Sequence, residues 1–106
     1  MATTKTLIAE DVAGVVEAGD HTFVVDDITV GKTLKIDGIK PGDVLVLNRQ
    51  NYAGDGYEPV TDEVNGQRRV VQLNEMRRTA PIAEVGTYSL DGVVAGPCVI
   101  WTEEMA

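Results

Sequence analysis

From Tyr57 to Asn74 the chain reads YEPVTDEVNGQRRVVQLN, and the Asn65-Gly66 step at its centre decides the fold class. Asn-Gly between two β-prone runs is the strongest short-range hairpin signal, because both central residues of a type I′ turn need positive φ. With those two residues as the loop, Val64 faces Gln67, Glu63 faces Arg68, Asp62 faces Arg69, Thr61 faces Val70 and Val60 faces Val71. Two consecutive positions then set opposite charges across the strands, each pair contributing roughly 0.2–1 kcal/mol. Turn chemistry, strand propensity and charge register point the same way.

The pattern continues outward in both directions. Thr6–Ala9, His21–Asp26, Thr33–Asp37, Val44–Arg49, Thr87–Asp91 and Cys98–Thr102 read as short strands separated by Gly, Pro, Asn and Asp. Phe23 and Val25 share a face, as do Leu34 and Ile36, and Tyr88 and Leu90. Trp101 alternates with Val99, which places it toward the core. Pro41-Gly42 suits a type II turn, which fits a tight hairpin poorly, so the chain is expected to cross between sheets there. Gly96-Pro97 is expected to break the last two strands apart. Ala9, Val12, Ala13 and Val16 fit helical spacing, weakened by Gly14, so Glu10–Ala18 reads as a loop or one short helical turn. The fold expected is all-β: a single-domain antiparallel β-sandwich, jelly-roll or immunoglobulin-like, of about eight short strands. Residues 1–18 form an extended N-terminal arm in this reading, and residues 19–106 the sandwich.

Composition narrows the function. The 106 residues suit one domain, and 43% apolar content suits a packed core. Phe and Trp occur once each, so aliphatic side chains must fill that core. The net charge of −8 lacks the basic footprint of a nucleic-acid binder. All four lysines precede Pro41, whereas four of five arginines fall between Arg68 and Arg78. That cluster either steers an acidic partner or pairs with the chain's own carboxylates, the plainer reading. A single cysteine, Cys98, excludes an internal disulfide and a thiolate zinc site. No signal peptide or membrane span is read, so a soluble protein made in a reducing cytoplasm is expected.

Catalytic chemistry finds few parts. Ser89 and His21 are the only serine and histidine, and Ser89 sits mid-strand without the sharp turn that exposes a nucleophile. No carboxylate pair lies in an apolar setting that would raise one pKa. Asn51, Asp55 and Glu58 cluster oxygens on a Gly-rich loop, which calcium tolerates, but the EF-hand spacing is missing and turns favour the same residues. No phosphate-binding loop appears. The expectation is a protein without catalytic residues, cofactor or metal. Tyr52 and Tyr57 flank the loop and suit a contact surface or a sugar platform.

Two phrases resemble β-sandwich modules. Leu34-x-Ile36-x-Gly38-Ile39-Lys40-Pro41-Gly42-Asp43-x-Leu45 is similar to the sheet-to-sheet corner of fibronectin-type and immunoglobulin-like domains. Val85-Gly86-Thr87-Tyr88-Ser89-Leu90 is similar to the Gly-x-Tyr-x-Leu strand of jelly rolls. As a whole the short, acidic, Thr/Val/Gly-rich chain, with its Ala2-Thr3-Thr4-Lys5-Thr6 start, resembles capsid decoration proteins of tailed bacteriophages. That resemblance implies a virion structural protein on the capsid surface, made in the host cytoplasm. Its partner would be the major capsid protein or another virion protein, with no nucleic acid and no membrane. It also implies a homo-oligomer, a trimer by preference, with Met1–Ala18 making lattice contacts. The interface residues expected are Lys5, Thr6, Leu7, Ile8, Tyr52, Tyr57, Arg68, Arg77 and Arg78. The rival functions are a carbohydrate- or receptor-binding module of a fibre, and a head-completion or tail adaptor protein.

Overall fold

The computed structural model describes residues 3–105, and among them no helix occurs. Ten strands follow in order: β1 (Thr3–Val16), β2 (Phe23–Val25), β3 (Thr33–Asp37), β4 (Val44–Gln50), β5 (Tyr57–Pro59), β6 (Thr61–Val64), β7 (Gln67–Val70), β8 (Gln72–Leu73), β9 (Thr79–Pro81) and β10 (Gly86–Met105). Every pairing between them is antiparallel.

The axis of the molecule is β10, a strand of 20 residues. Along one side its first half pairs with β4, from Tyr88↔Arg49 to Val93↔Val44, and its second half with β3, from Val99↔Asp37 to Glu103↔Thr33. Beyond β4 lie β5 and β8, and beyond β3 lies β9. The other side of β10 carries β1 and, past it, β2. Because β3 and β4 leave the same side of one twisted strand in two directions, the sheet curls, as right-handed strand twist requires. Pro41-Gly42 makes that divergence: β3 and β4 form no hairpin with each other and instead meet different halves of β10.

Period two decides what is inside. Leu34 and Ile36, Leu45 and Leu47, and Leu90, Val94 and Ile100 all point into the concave face and are buried. Each such side chain contributes roughly 1.5–3 kcal/mol of transfer free energy. Leucine and isoleucine fill this core as much as valine does, while Val15, Val24, Val64, Val70, Val85 and Val93 are exposed. Tyr88 is 2% exposed, stacks on Phe23 at 5.5 Å, and donates its hydroxyl to the Glu84 carbonyl at 2.6 Å.

The hairpin forms with the expected register, Thr61↔Val70 through Val64↔Gln67, and the Val71 N–H donates to the Val60 carbonyl. Asn65 and Gly66 both have positive φ, 52° and 79°. The charge pairing differs. Asp62 takes its ion pair from Arg77 at 3.4 Å, while Arg68 donates to the Thr61 hydroxyl and Arg69 to the Gln67 amide. Ion pairs between surface side chains gain little from one particular partner, so register does not fix their contacts, and half-exposed Asp62 turns to Arg77.

Three expectations are corrected. Glu10–Ala18 is not a loop or helical turn: β1 runs through to Val16 and pairs with β10 as far as Gly92. Val12 and Val16 lie four apart, an even spacing that suits one face of a strand as well as a helix. Ala9 and Val12 are an odd spacing apart, and a β-bulge between them brings both toward the core. The segment expected as an arm is therefore part of the sheet; Met1 and Ala2, at its start, lie outside the described residues. Gly96-Pro97 does not end a strand either, because β10 continues across it with a cis Gly96–Pro97 bond. Finally, Trp101 is only half-buried on the convex face, since Cys98, Ile100 and Thr102 hold the inward phase.

Candidate functional site

Strand β1 and the convex face of β10 make the surface of greatest interest. Among the described residues β1 pairs with β10 alone, so its other side is an open edge along 14 residues. The stretches Val12–Val16 and Gly92–Ile100 contain no charged residue, although a quarter of the chain is charged. Register brings these two stretches together. Val15 lies opposite Val93, and Val93 opposite Val44, a row of three valines across the sheet. Val15 is 72% exposed and Val93 59% exposed. Their neighbours Ala13, Ala95 and Pro97 are exposed too.

The backbone beneath this patch is held from inside. Buried Asp43 accepts the Ala95 N–H at 3.0 Å through one oxygen and the Lys40 N–H at 3.0 Å through the other. Lys40 Nζ in turn donates to the Gly96 carbonyl at 2.6 Å. The β10 side of the patch is thus held from beneath by Asp43 and Lys40, while β1 keeps its outer edge open.

Toward the chain termini the same face turns polar. Leu7 pairs with Trp101 in register and is 53% exposed. Lys5 Nζ lies 4.3 Å from the centre of the Trp101 ring, within cation–π range. The Trp101 indole N–H donates to Glu103 at 3.0 Å, and Lys35 approaches the same carboxylate oxygen at 2.8 Å. Hydrogen bonds from Lys35 first, then Trp101, hold the Glu103 carboxyl below its usual range.

The expected interface residues separate into groups. Lys5 and Leu7 share the convex face with Trp101, Thr6 pairs with Thr102, and Ile8 packs against the core. Tyr52 stands fully exposed on a loop stapled by Asn51, whose side-chain oxygen accepts the Gly54 and Asp55 N–H groups. Tyr57 is half-buried on β5. Arg68, Arg77 and Arg78 do not converge: Arg78 donates to the Glu75 carbonyl, and Arg77 reaches Asp62.

Arg77 and Asp62 belong instead to a cavity of about 260 Å³ between the hairpin and the Pro81–Glu84 segment. Leu47, Val71, Ile82 and Tyr88 give it an apolar floor, and Arg49, Arg77, Asp62 and Glu84 give it a rim of balanced charge. It lies just under the ~300–1,000 Å³ usual for small-molecule sites. Sequence reading missed both this cavity and the Val15–Val93 patch, because each is assembled from strands distant along the chain. The one available signal for the patch was the absence of charge from the two stretches.

Ser89 is fully buried and serves a loop: it accepts the Gly19 N–H at 2.7 Å and donates to the Asp20 carbonyl at 2.8 Å. Burial pushes the Cys98 thiol pKa up. Among the described residues no three His, Cys, Asp or Glu side chains lie where they could hold a metal ion. Comparison with family models, curated proteins and solved structures found no match.

Proposed function

We propose that this chain is a non-enzymatic virion structural protein that binds a protein lattice, the major capsid subunits of a tailed phage, and stabilises it. The observation that supports this best is the uncharged Val15–Val93 surface, which is exposed in an otherwise strongly acidic chain. Contiguous apolar surface rimmed by polar residues marks a protein contact. The core of such a contact is depleted in charge, as this stretch is. In the same reading the curled sheet folds into the two layers of a sandwich that share β10. Tyr88 supports the sandwich by making the backward hydrogen bond of a tyrosine corner.

The test is co-sedimentation of the purified protein with expanded phage heads. Wild type should pellet with the particles, and the double variant Val15→Lys, Val93→Lys should stay in solution. The uncharged double variant Val15→Ser, Val93→Ser should stay in solution as well, which assigns the loss to the apolar contact and not to added charge. Wild-type protein that never pellets overturns the reading.

Tyr52 favours a second reading, a glycan- or receptor-binding module. An aromatic ring fully exposed on a loop braced by its own hydrogen bonds is a preorganised stacking platform. Glycan-array binding that disappears in Tyr52→Ala supports it, and an array with no signal removes it.

A further inference from the structure

Among the described residues the open edge of β1 has no equal. Every other strand with an open side is two to four residues long. Two of them, β5 and β9, end in Pro59 and Pro81, and proline cannot donate to a ladder. By contrast β1 is 14 residues long and contains no proline. Among the described residues, the only edge long enough to match it is that of another β1.

Its charges are ordered in a way that suits such a match. Lys5 lies on one side of the apolar centre Leu7-Ile8-Ala9, and Glu10-Asp11 on the other. Lys5, Leu7, Glu10 and Asp11 are exposed, and neither Glu10 nor Asp11 takes part in an ion pair among the described residues. Turned end for end, the sequence meets itself with unlike charges opposed. A parallel pairing would oppose Lys5 to Lys5 and acid to acid, which is unfavourable.

We propose that two copies of this chain pair along β1, antiparallel, across a two-fold axis at Leu7–Ile8. Lys5 of each copy then faces Glu10-Asp11 of the other, so a single recognition element is used twice. The register shifts between Leu7 and Gly14 twist the acidic half of the strand. With the axis at Leu7–Ile8 this half of one copy lies against Thr3–Leu7 of the other, so the backbone ladder between the copies is interrupted and the charge pairs fix the register. The assembly is a dimer, in place of the trimer implied by resemblance. It presents two Val15–Val93 faces, which raises the effective concentration at a lattice. The pairing does not depend on lattice binding: either can fail while the other stands.

Sedimentation velocity on the purified full chain tests this. Wild type should sediment with twice the 11.4 kDa chain mass. Lys5→Glu opposes acid to acid at both ends of the pair and should give monomer. Glu10→Lys with Asp11→Asn opposes lysine to lysine and should also give monomer; Asn suits the positive φ of 55° at position 11. Mixed in equal amounts, the two variants restore both contacts and should form a heterodimer. Circular dichroism checks that each is folded, and Lys5→Gln, which keeps an apolar stem over Trp101, should weaken the dimer if Lys5→Glu proves unstable. A monomeric or trimeric wild type overturns the proposal. So does a Lys5→Glu variant that remains dimeric, or a mixture of folded variants that fails to associate.

Discussion

Gly92→Ala probes the packing on which the fold depends. Gly92 lies on β10 opposite Leu45 of β4 on one side and Val16 of β1 on the other. Its φ is +152°, and an added Cβ would collide with the Val44 carbonyl oxygen, 2.9 Å from the carbonyl carbon and 3.1 Å from the Leu45 Cα. These are backbone atoms of a central strand, so no side-chain rotation relieves the clash. The backbone strain costs ~1–3 kcal/mol and the overpacking another ~1–3 kcal/mol. Their sum, ~2–6 kcal/mol, is a large part of the ~5–15 kcal/mol that stabilises a domain. Gly66→Ala is the control, because its φ is also positive, +79°, but nothing lies within 4 Å. It should lose only the conformational allowance, ~1 kcal/mol. Urea unfolding followed by the emission of Trp101, with the slope m checked for constancy, measures both. At ~4–8 °C per kcal/mol near this size, Gly92→Ala should melt at least ~8–16 °C below wild type. Equal losses in the two variants would refute the reasoning, because Gly92 alone combines a φ that side chains avoid with the close approach of Val44.

Other expectations concern single contacts. Ser89→Ala strands the Gly19 N–H and the Asp20 carbonyl; it should cost ~1–3 kcal/mol in urea unfolding, and a neutral result would show that the Glu17–Asp20 loop is not bolted there. Asp43→Ala frees the Lys40 and Ala95 N–H groups, so amide exchange at both should accelerate, with unchanged protection contradicting the brace. Gly66→Val should destabilise by ~1 kcal/mol or more, because a β-branched residue resists positive φ; an unchanged melting temperature would contradict the turn. For Glu103 the folded pKa lies below the ordinary 4.5. Its contribution to stability is therefore complete above that pH and disappears as pH falls through the lower folded value. Trp101 emission should hold steady down to the ordinary glutamate range and change only beneath it, so a transition centred at or above 4.5 would count against the Lys35–Glu103–Trp101 contact.

What the sequence determined by itself is local. The Asn65-Gly66 turn set the hairpin register, and strict alternation set the inward face of β3 and the shared face of Tyr88 and Leu90, because turn chemistry and a period of two act between near neighbours. Val44-Leu45-Val46-Leu47, apolar at every position, left the inward face of β4 to the structure. The all-β class followed from these repeated elements. Only the tertiary structure decided that Thr87–Asp91 and Cys98–Thr102 are one strand, that Glu10–Val16 joins the sheet, and that Trp101 faces outward under Lys5. Each depends on a partner strand far away in the chain, which supplies the backbone hydrogen bonds and fixes which phase of the alternation is buried. The Val15–Val93 surface and the Arg77–Asp62 cavity have the same origin: they exist only where distant segments meet, and no short window of residues encodes them.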